Sequence, residues 1–184
     1  MTKTRSHIKF SLTDYRNLPE SETKRYELLG GDIVMAPSPT SKHQRISAEL
    51  EWLLNQFVRP QKLGVIFDVP LDVILSNEDV VQPDILFISN ARKDIIHEDA
   101  IHGAPDLIIE ILSPSTAERD RTYKRTLYAR SGVGEYWIVD PETHTVEVLT
   151  LTPQGFKQAG RYEQTQTLTC PLLTGLEISL NEVF

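Results

Sequence analysis

The spacing of hydrophobic residues along the first third of the chain predicts a helix, a hairpin and a longer helix. SLTDYRNLP predicts a short helix with Ser11 or Thr13 as its cap. In YELLGGDIVMAP, two apolar stretches surround Gly30-Gly31, a pair that tolerates positive φ, and this pattern predicts a β-hairpin. The longer helix, within residues 38–64, carries apolar side chains at helical spacing: Ile46, Leu50, Leu53, Leu54 and Phe57.

After Gly64 the pattern becomes typical of strands. VIFDVPLDVIL, VVQPDILFI and DLIIEIL each read as a strand, with a looser stretch, ARKDIIHEDAIHGAP, before the last. SPSTAERDRTYKRTLYARSGVG predicts a helix that begins at a capping box of Ser115 and Glu118 and ends at Gly132. EYWIVD, HTVEVLTL and a tail ending in LEISL predict further strands. The order predicts an α/β or α+β fold: a mixed central β-sheet flanked by helices, with extra C-terminal strands.

The length, net charge and cysteine content of the chain indicate which class of protein it belongs to. The chain has 184 residues and shows no internal repeat or long linker, which predicts a single domain over residues 1–184. Its net charge of −7 is not typical of a nucleic-acid-binding protein. No apolar run is long enough to span a membrane, the N-terminus lacks the apolar core of a signal peptide, and Cys170 is the only cysteine. These features favour a cytoplasmic protein.

One charge lies inside an apolar strand. Glu110 stands in the middle of LIIEIL, and strand alternation puts it on the same face as Asp106 and Leu112. Asp106 is about 13 Å from Glu110 along an extended strand, too far to share one small metal ion. Asp106 also opens the strand, where a solvated or turn-capping carboxylate is usual. Glu110 therefore needs another partner.

Asp84 in VVQPDILFI is the better partner. It shares a strand face with Gln82, and the connection to LIIEIL is long enough for the two strands to become neighbours. A buried carboxylate is protonated, paired with a base such as arginine, or bound to a cation. The sharper hypothesis is that Asp84 and Glu110 converge on Mg²⁺ or Mn²⁺, which prefer such hard oxygen ligands.

These residues resemble a known superfamily of nucleases. Pro83-Asp84 followed by Glu110 in an apolar strand is similar to the PD-(D/E)XK signature. The wider pattern from about residue 12 to 150, and above all the run from Asp106 to Pro141, resembles the bacterial Uma family of restriction-endonuclease-like proteins. The resemblance implies a restriction-endonuclease-like core, Mg²⁺-dependent hydrolysis of DNA phosphodiester bonds, and a homodimer. It also implies that Asp84 and Glu110 are catalytic metal ligands.

The sequence departs from the superfamily pattern at one position. Leu112 stands where the pattern places a lysine, two residues after Glu110. The resemblance implies that Lys124, on the following helix, is the relocated catalytic lysine. Asp120, Lys124 and Tyr128 lie on one helical stripe, so Lys124 could reach over Glu110 if the helix packs across the sheet. The alternative is a surface ion pair between Asp120 and Lys124.

Three further polar residues are candidate site residues. Glu27 matches an acid typical of the family and would complete the metal site or hold a water, although an exposed strand acid fits the sequence nearly as well. Gln82 shares the face of Asp84, which predicts a contact to substrate or to a metal ligand. His43 lies on the apolar stripe of the first long helix and is either a satisfied core histidine or a member of the pocket.

Two other functions stay open. The missing lysine at Leu112 and the acidic net charge are compatible with an inactive nuclease fold that binds nucleic acid or a protein partner. A different metallohydrolase built on His97 and His102 is a weaker alternative, because their spacing is not that of a HExxH helix.

Overall fold

The structure is a computed structural model that describes residues 8–19 and 25–184. It begins with the predicted short helix, α1 (Leu12–Arg16), capped by Ser11, whose side chain accepts a hydrogen bond from the Asp14 amide. None of the helices in the described residues is long and apolar enough to cross a membrane.

The remaining helices and strands follow in chain order. The strands are β1 (Arg25–Leu29), β2 (Asp32–Ala36), β3 (Gly64–Asp68), β4 (Val73–Ser76), β5 (Asp79–Val81), β6 (Ile85–Ser89), β7 (Ile101–His102), β8 (Leu107–Ile111), β9 (Glu135–Asp140), β10 (Thr145–Thr152), β11 (Gly155–Glu163), β12 (Thr167–Leu168) and β13 (Ile178–Ser179). The helices are α2 (Ser41–Val58), a 3₁₀ helix (Asn90–Ile95), α3 (Ala117–Arg119), a π-helical turn (Asp120–Lys124), α4 (Arg125–Ser131) and α5 (Leu180–Val183).

The strands form two main sheets and a short pair. A five-stranded sheet has the order β2-β1-β5-β4-β7, a six-stranded sheet has the order β11-β10-β9-β8-β6-β3, and β12 pairs with β13. In the six-stranded sheet β8 and β9 run parallel while the other neighbours are antiparallel, so the sheet is mixed. The parallel pair needs a crossover connection, which α3, the π-helical turn and α4 supply. The predicted mixed sheet flanked by helices is confirmed.

Strand β8 lies at the centre of the fold, with a hydrophobic cluster on each face. Leu107, Ile109 and Ile111 belong to the cluster that also contains the buried face of α2. Ile108 and Leu112 belong to the second cluster, which includes residues of α4. Because strand side chains alternate between faces, the six-stranded sheet separates the two clusters, and Glu110 falls on the α4 side.

Two predicted strands are wrong, and each is divided between the two sheets. VVQPDILFI contains β5 in the five-stranded sheet and β6 in the six-stranded sheet, joined by Gln82-Pro83-Asp84. Pro83 has no amide hydrogen to donate to a sheet, so a break at this point is expected. VIFDVPLDVIL likewise contains β3 and β4, and a cis Val69-Pro70 peptide lies between them. Asp84 therefore stands directly before β6 rather than inside a strand.

The predicted capping box of the second long helix is also wrong. Thr116 occupies the N-cap without a side-chain cap bond, and the Ser115 hydroxyl instead contacts the Ser113 hydroxyl at 3.1 Å. The predicted end is confirmed, because Gly132 adopts the left-handed conformation with φ of 90°. The π-helical turn was not predicted. Such turns often occur at functional sites.

Candidate functional site

Asp84 and Glu110 lie at the same level of two neighbouring antiparallel strands. Ile85 of β6 pairs with Ile109 of β8, and continuing that register by one residue places Asp84 opposite Glu110. The Asp84 Oδ2 atom accepts a hydrogen bond of 2.8 Å from the Ile111 amide, which holds the carboxylate against β8. The break before β6 therefore does not separate Asp84 from Glu110.

All six candidate side chains line one cavity of about 300 Å³ at this end of the strands: Glu27, His43, Gln82, Asp84, Glu110 and Lys124. They come from β1 and β8, from the segment that joins β5 to β6, from the first turn of α2 and from the π-helical turn. The carboxylates and the lysine are almost fully buried, each with 7% or less of its surface exposed. Buried charges need partners, so the contacts among them define the chemistry of the site.

Lys124 is the centre of an ionic cluster. Its Nζ atom lies 2.8 Å from Glu27 Oε1, 2.9 Å from Glu110 Oε1 and 3.7 Å from Asp120 Oδ1. The π-helical turn places both of its end residues, Asp120 and Lys124, in the interior. The alternative of a surface ion pair is therefore wrong in its location: Asp120 and Lys124 do pair, but in the interior, where the Lys124 ammonium also contacts the carboxylate of Glu110.

The protonation states of Glu110 and Lys124 follow from burial and charge. Burial raises the pKa of the Glu110 carboxyl, and the neighbouring Lys124 ammonium only partly opposes this shift. Burial alone would lower the pKa of Lys124, but the carboxylates of Glu110, Glu27 and Asp120 outweigh it and raise the pKa above its usual value. Lys124 is therefore a cation that donates a hydrogen bond to Glu110.

Tyr128 holds the same oxygen of Glu110. Its hydroxyl donates to Glu110 Oε1 over 2.5 Å, and the tyrosine ring is fully buried. The sequence analysis placed Tyr128 on the helical stripe of Lys124 but did not assign it to the site. The i,i+4 spacing was a signal, since it puts both side chains on one helix face.

Glu27 joins the five-stranded sheet to the site. Only 2% of its side chain is exposed, so the alternative of an exposed strand acid is wrong. Besides the Lys124 contact, Glu27 Oε1 accepts a hydrogen bond of 3.0 Å from the backbone amide of Gln82, and Oε2 lies 3.7 Å from the Arg119 guanidinium. Arg119 also lines the cavity, and no motif in the sequence pointed to it.

His43 belongs to the cavity rather than to the apolar core. Its Nε2 atom lies 3.2 Å from Asp84 Oδ2, and 13% of its side chain is exposed. Burial lowers the pKa of His43, but the Asp84 carboxylate and a hydrogen bond to the Ile111 backbone together outweigh burial, so the net shift is upward. The N-cap of α2 positions this histidine, because the Thr40 hydroxyl accepts the His43 amide at 3.2 Å.

The side chains of Asp106 and Gln82 form hydrogen bonds to residues outside the ionic cluster. The Asp106 carboxylate accepts the Ser89 amide over 2.7 Å, away from Glu110, in agreement with its reading as a capping acid at the strand start. The side-chain Nε2 of Gln82 donates to the Asp72 carboxylate over 2.8 Å, while its Oε1 atom is buried without a hydrogen bond among the described residues.

The oxygen atoms around the cavity fit a hard divalent cation. Within the described part of the chain, the hydrogen bonds of Asp84 and Glu110 use Oδ2 and Oε1, which leaves one oxygen on each carboxylate for a ligand. Gln82 lines the same cavity, and its Oε1 atom is buried without a hydrogen bond among the described residues. Carboxylate and amide oxygens, with space for water, are the ligand set that Mg²⁺ and Mn²⁺ take.

Comparison with known proteins gives a family and two relatives. The Uma2 family, described as "Putative restriction endonuclease", matches residues 12–181. An uncharacterized protein of Synechocystis, sll1609, is 24% identical over 135 residues, which cover 73% of this chain and 76% of that protein. A crystal structure from Anabaena variabilis, described as "a putative nuclease belonging to DUF820", is 27% identical with a TM-score of 0.78. That superposition covers 95% of this chain and 97% of the other.

The residues that match the family include both main sheets and every candidate residue that lines the cavity. Together with the mixed α/β architecture, this match confirms the resemblance and the restriction-endonuclease-like fold seen in the sequence. The chain belongs to the Uma2 family of restriction-endonuclease-like proteins.

Proposed function

We propose that the chain is a metal-dependent endonuclease that hydrolyses phosphodiester bonds of DNA in the cavity. Asp84 and Glu110 hold Mg²⁺ or Mn²⁺ in this proposal, and Lys124 is the catalytic cation. The observation that carries it is the 2.9 Å contact between Lys124 Nζ and Glu110 Oε1, in a protein where Leu112 occupies the usual lysine position. The family and the fold support the nuclease class.

Each residue of the cluster has a defined task in this mechanism. The Ile111 amide and His43 orient Asp84, while Tyr128 orients Glu110. The Lys124 ammonium, held by Glu27, is a hydrogen-bond donor for the charge that grows on the phosphate oxygens in the transition state. A bound divalent cation supplies a Lewis acid, which activates water and neutralises the scissile phosphate.

The second candidate function is an inactive nuclease fold that binds nucleic acid or a protein partner. Leu112 favours it, because this side chain is 7% exposed, packs in the α4-side cluster and offers no charge to a phosphate. The net charge of −7 also favours this second candidate, because an acidic protein is repelled by DNA phosphates and makes few contacts with them.

A homodimer is part of the same proposal. Cutting both strands of a duplex at one place needs two active sites, and a two-fold axis would present them to the two antiparallel strands. Light scattering coupled to size-exclusion chromatography should give twice the chain mass of 20.9 kDa. If the protein is a monomer and still linearises plasmid, the homodimer is wrong, while the proposed nuclease activity stands.

The test combines Mn²⁺ titration calorimetry with plasmid cleavage for the wild type, Glu110→Gln and Lys124→Ala. Wild type should bind Mn²⁺ and cut; Glu110→Gln should lose both. Lys124→Ala should bind Mn²⁺ but cut at least about 100-fold more slowly, as expected for losing one transition-state donor. Circular dichroism checks that each variant is folded. Glu118→Gln and Lys157→Ala, both at exposed positions, are the matched controls and should behave as wild type.

The outcomes separate the two candidate functions. A wild type that binds no divalent ion contradicts the nuclease proposal. A wild type that binds Mn²⁺ but cuts neither supercoiled nor single-stranded DNA over a broad range of conditions supports the binding module instead.

A further inference from the structure

A second group of potential metal ligands lies outside the cavity, in the loop that leads into β7. His97, Asp99 and His102 each offer one ligand atom, and these three atoms all lie within 4.8 Å of one another. All three side chains are exposed, and none of them lines the cavity. We infer that this trio is a separate binding site for a divalent transition-metal ion of the zinc class.

The backbone brings the three ligands together without help from an ion. The His97 amide donates to the Ala100 carbonyl over 3.1 Å, and Ile96 forms a bridge with Ile101, so residues 96–101 make a tight reverse turn. Pairing of β7 with β4 anchors the far side of this turn. A preformed turn lowers the entropy that the ion must remove from its ligands, which favours binding.

The ligand types select the class of ion. Two imidazoles and one carboxylate are a common set for Zn²⁺, and three protein ligands leave a fourth position for water. The imidazole rings of His97 and His102 lie 4.3 Å apart, and His102 Nε2 lies 3.1 Å from Asp99 Oδ1. Mg²⁺ prefers an all-oxygen octahedral shell, so the trio and the cavity should select different ions.

Arg16 is the outer partner of the trio. Its Nη2 atom lies 2.7 Å from Asp99 Oδ2 and so orients the carboxylate, whose Oδ1 and Oδ2 atoms lie 3.1 Å and 3.3 Å from His102 Nε2. A hydrogen-bonded ligand carboxylate is typical of metal sites. Because Arg16 ends α1, an ion bound by Asp99 would also brace α1 against the β7 loop. We therefore assign the ion a stabilising role.

The trio connects to the cavity through two hydrogen bonds. The Ile101 amide donates to the Asp72 carbonyl over 2.9 Å, and the Asp72 carboxylate accepts the Gln82 side chain over 2.8 Å. An ion at the trio would therefore steady Asp72, the residue directly before β4 that holds the Gln82 side chain, while its binding does not depend on the proposed nuclease activity.

Calorimetric titration of untagged protein with ZnCl₂ in excess Mg²⁺ tests the site. The titration is made in the Glu110→Gln background, so that the cavity lacks one of its two proposed metal ligands. One zinc per chain should bind and raise the melting temperature. His97→Ala and His102→Ala should each weaken zinc binding at least about tenfold, as losses at metal sites do, and should abolish the rise in melting temperature.

His144→Ala is the matched control, because His144 contacts Gln164 and Phe184 far along the chain from the trio. It should bind zinc like the parent. Absence of zinc binding in the parent overturns the inference. Unchanged zinc binding in both His97→Ala and His102→Ala overturns it as well, since the ion would then lie elsewhere. Neither result bears on Mn²⁺ binding or DNA cleavage, which test the proposed nuclease separately.

Discussion

At the scale of single residues, the site depends on how Glu110 is tolerated between isoleucines. Its Oε1 atom accepts hydrogen bonds from the Lys124 ammonium and the Tyr128 hydroxyl, which replace the water lost on burial. The Tyr128 hydroxyl donates to this carboxylate and its ring packs edge-on against Tyr136, so we expect Tyr128 to position Glu110 instead of acting on substrate. Its contribution should appear in stability and metal affinity.

Tyr128→Phe should lower the free energy of unfolding by about 2 kcal/mol, because it removes a buried hydrogen bond to a charged group. Urea denaturation measures this change. Tyr162→Phe is the control, because the Tyr162 hydroxyl bonds to Thr169 at the surface. Its free energy of unfolding should stay within about 0.5 kcal/mol of wild type. Equal stability of Tyr128→Phe and wild type would contradict the role assigned to Tyr128.

At the scale of elements, the start of α2 links helix stability to the site. The Thr40 side chain caps the helix by accepting the His43 amide, and His43 in turn contacts Asp84. The loss of this cap would free the first turn and the histidine that it carries. The same 18-residue helix buries Ile46, Leu50, Leu54 and Val58 against the six-stranded sheet, so the rest of α2 should stay folded.

Thr40→Ala should therefore destabilise the protein by about 1 kcal/mol, the usual cost of losing an N-cap. Thr40→Ser keeps a hydroxyl at the cap and should restore most of that loss. Urea unfolding of the two variants, compared with wild type, gives the difference. If serine and alanine destabilise the protein equally, the hydroxyl is not the source of the capping effect.

At the scale of the whole molecule, the six-stranded sheet is shared by both hydrophobic clusters. Leu107, Ile109 and Ile111 of β8 face one cluster, and Ile108 faces the other. If this sheet unfolds, the apolar residues of both clusters become exposed to water. This arrangement predicts that residues 1–184 unfold as one cooperative unit, as expected for a single domain.

Equilibrium unfolding followed by tryptophan fluorescence and by far-UV circular dichroism should show one coincident transition. Trp137 reports on the core because it is fully buried, whereas Trp52 is 55% exposed. The variant Trp52→Phe isolates the Trp137 signal and should keep the same midpoint. Two transitions separated in urea concentration would show that the clusters unfold independently.

The secondary structure could be predicted wherever a pattern is local. The hairpin of β1 and β2, the helix α2 and the end of α4 at Gly132 were predicted because periodicity and turn chemistry act over a few residues. The breaks within VIFDVPLDVIL and VVQPDILFI were missed, because apolar strands in two different sheets look like one strand when they are adjacent in sequence. The π-helical turn has no sequence signal of this kind.

The sequence predicted which residues form the candidate site, but it did not predict most of the contacts among them. The buried charge in LIIEIL pointed to Glu110, the strand pattern and the resemblance to the family both pointed to Asp84, and the resemblance pointed to Lys124. The sequence could not show that Glu27 is buried beside Lys124, because β1 and the π-helical turn are about a hundred residues apart in the chain. The roles of these residues in metal binding and catalysis remain predictions for the experiments above.

The sequence by itself determined the family, the mixed α/β class and the presence of one carboxylate, that of Glu110, inside an apolar strand. Those properties depend on local pattern and on residue type. The tertiary structure alone decided that Lys124 contacts Glu110 and Glu27 together, and that His97, Asp99 and His102 converge at the surface. The reason is physical: the energy of a charge depends on which groups surround it, and chain folding brings those groups from distant positions.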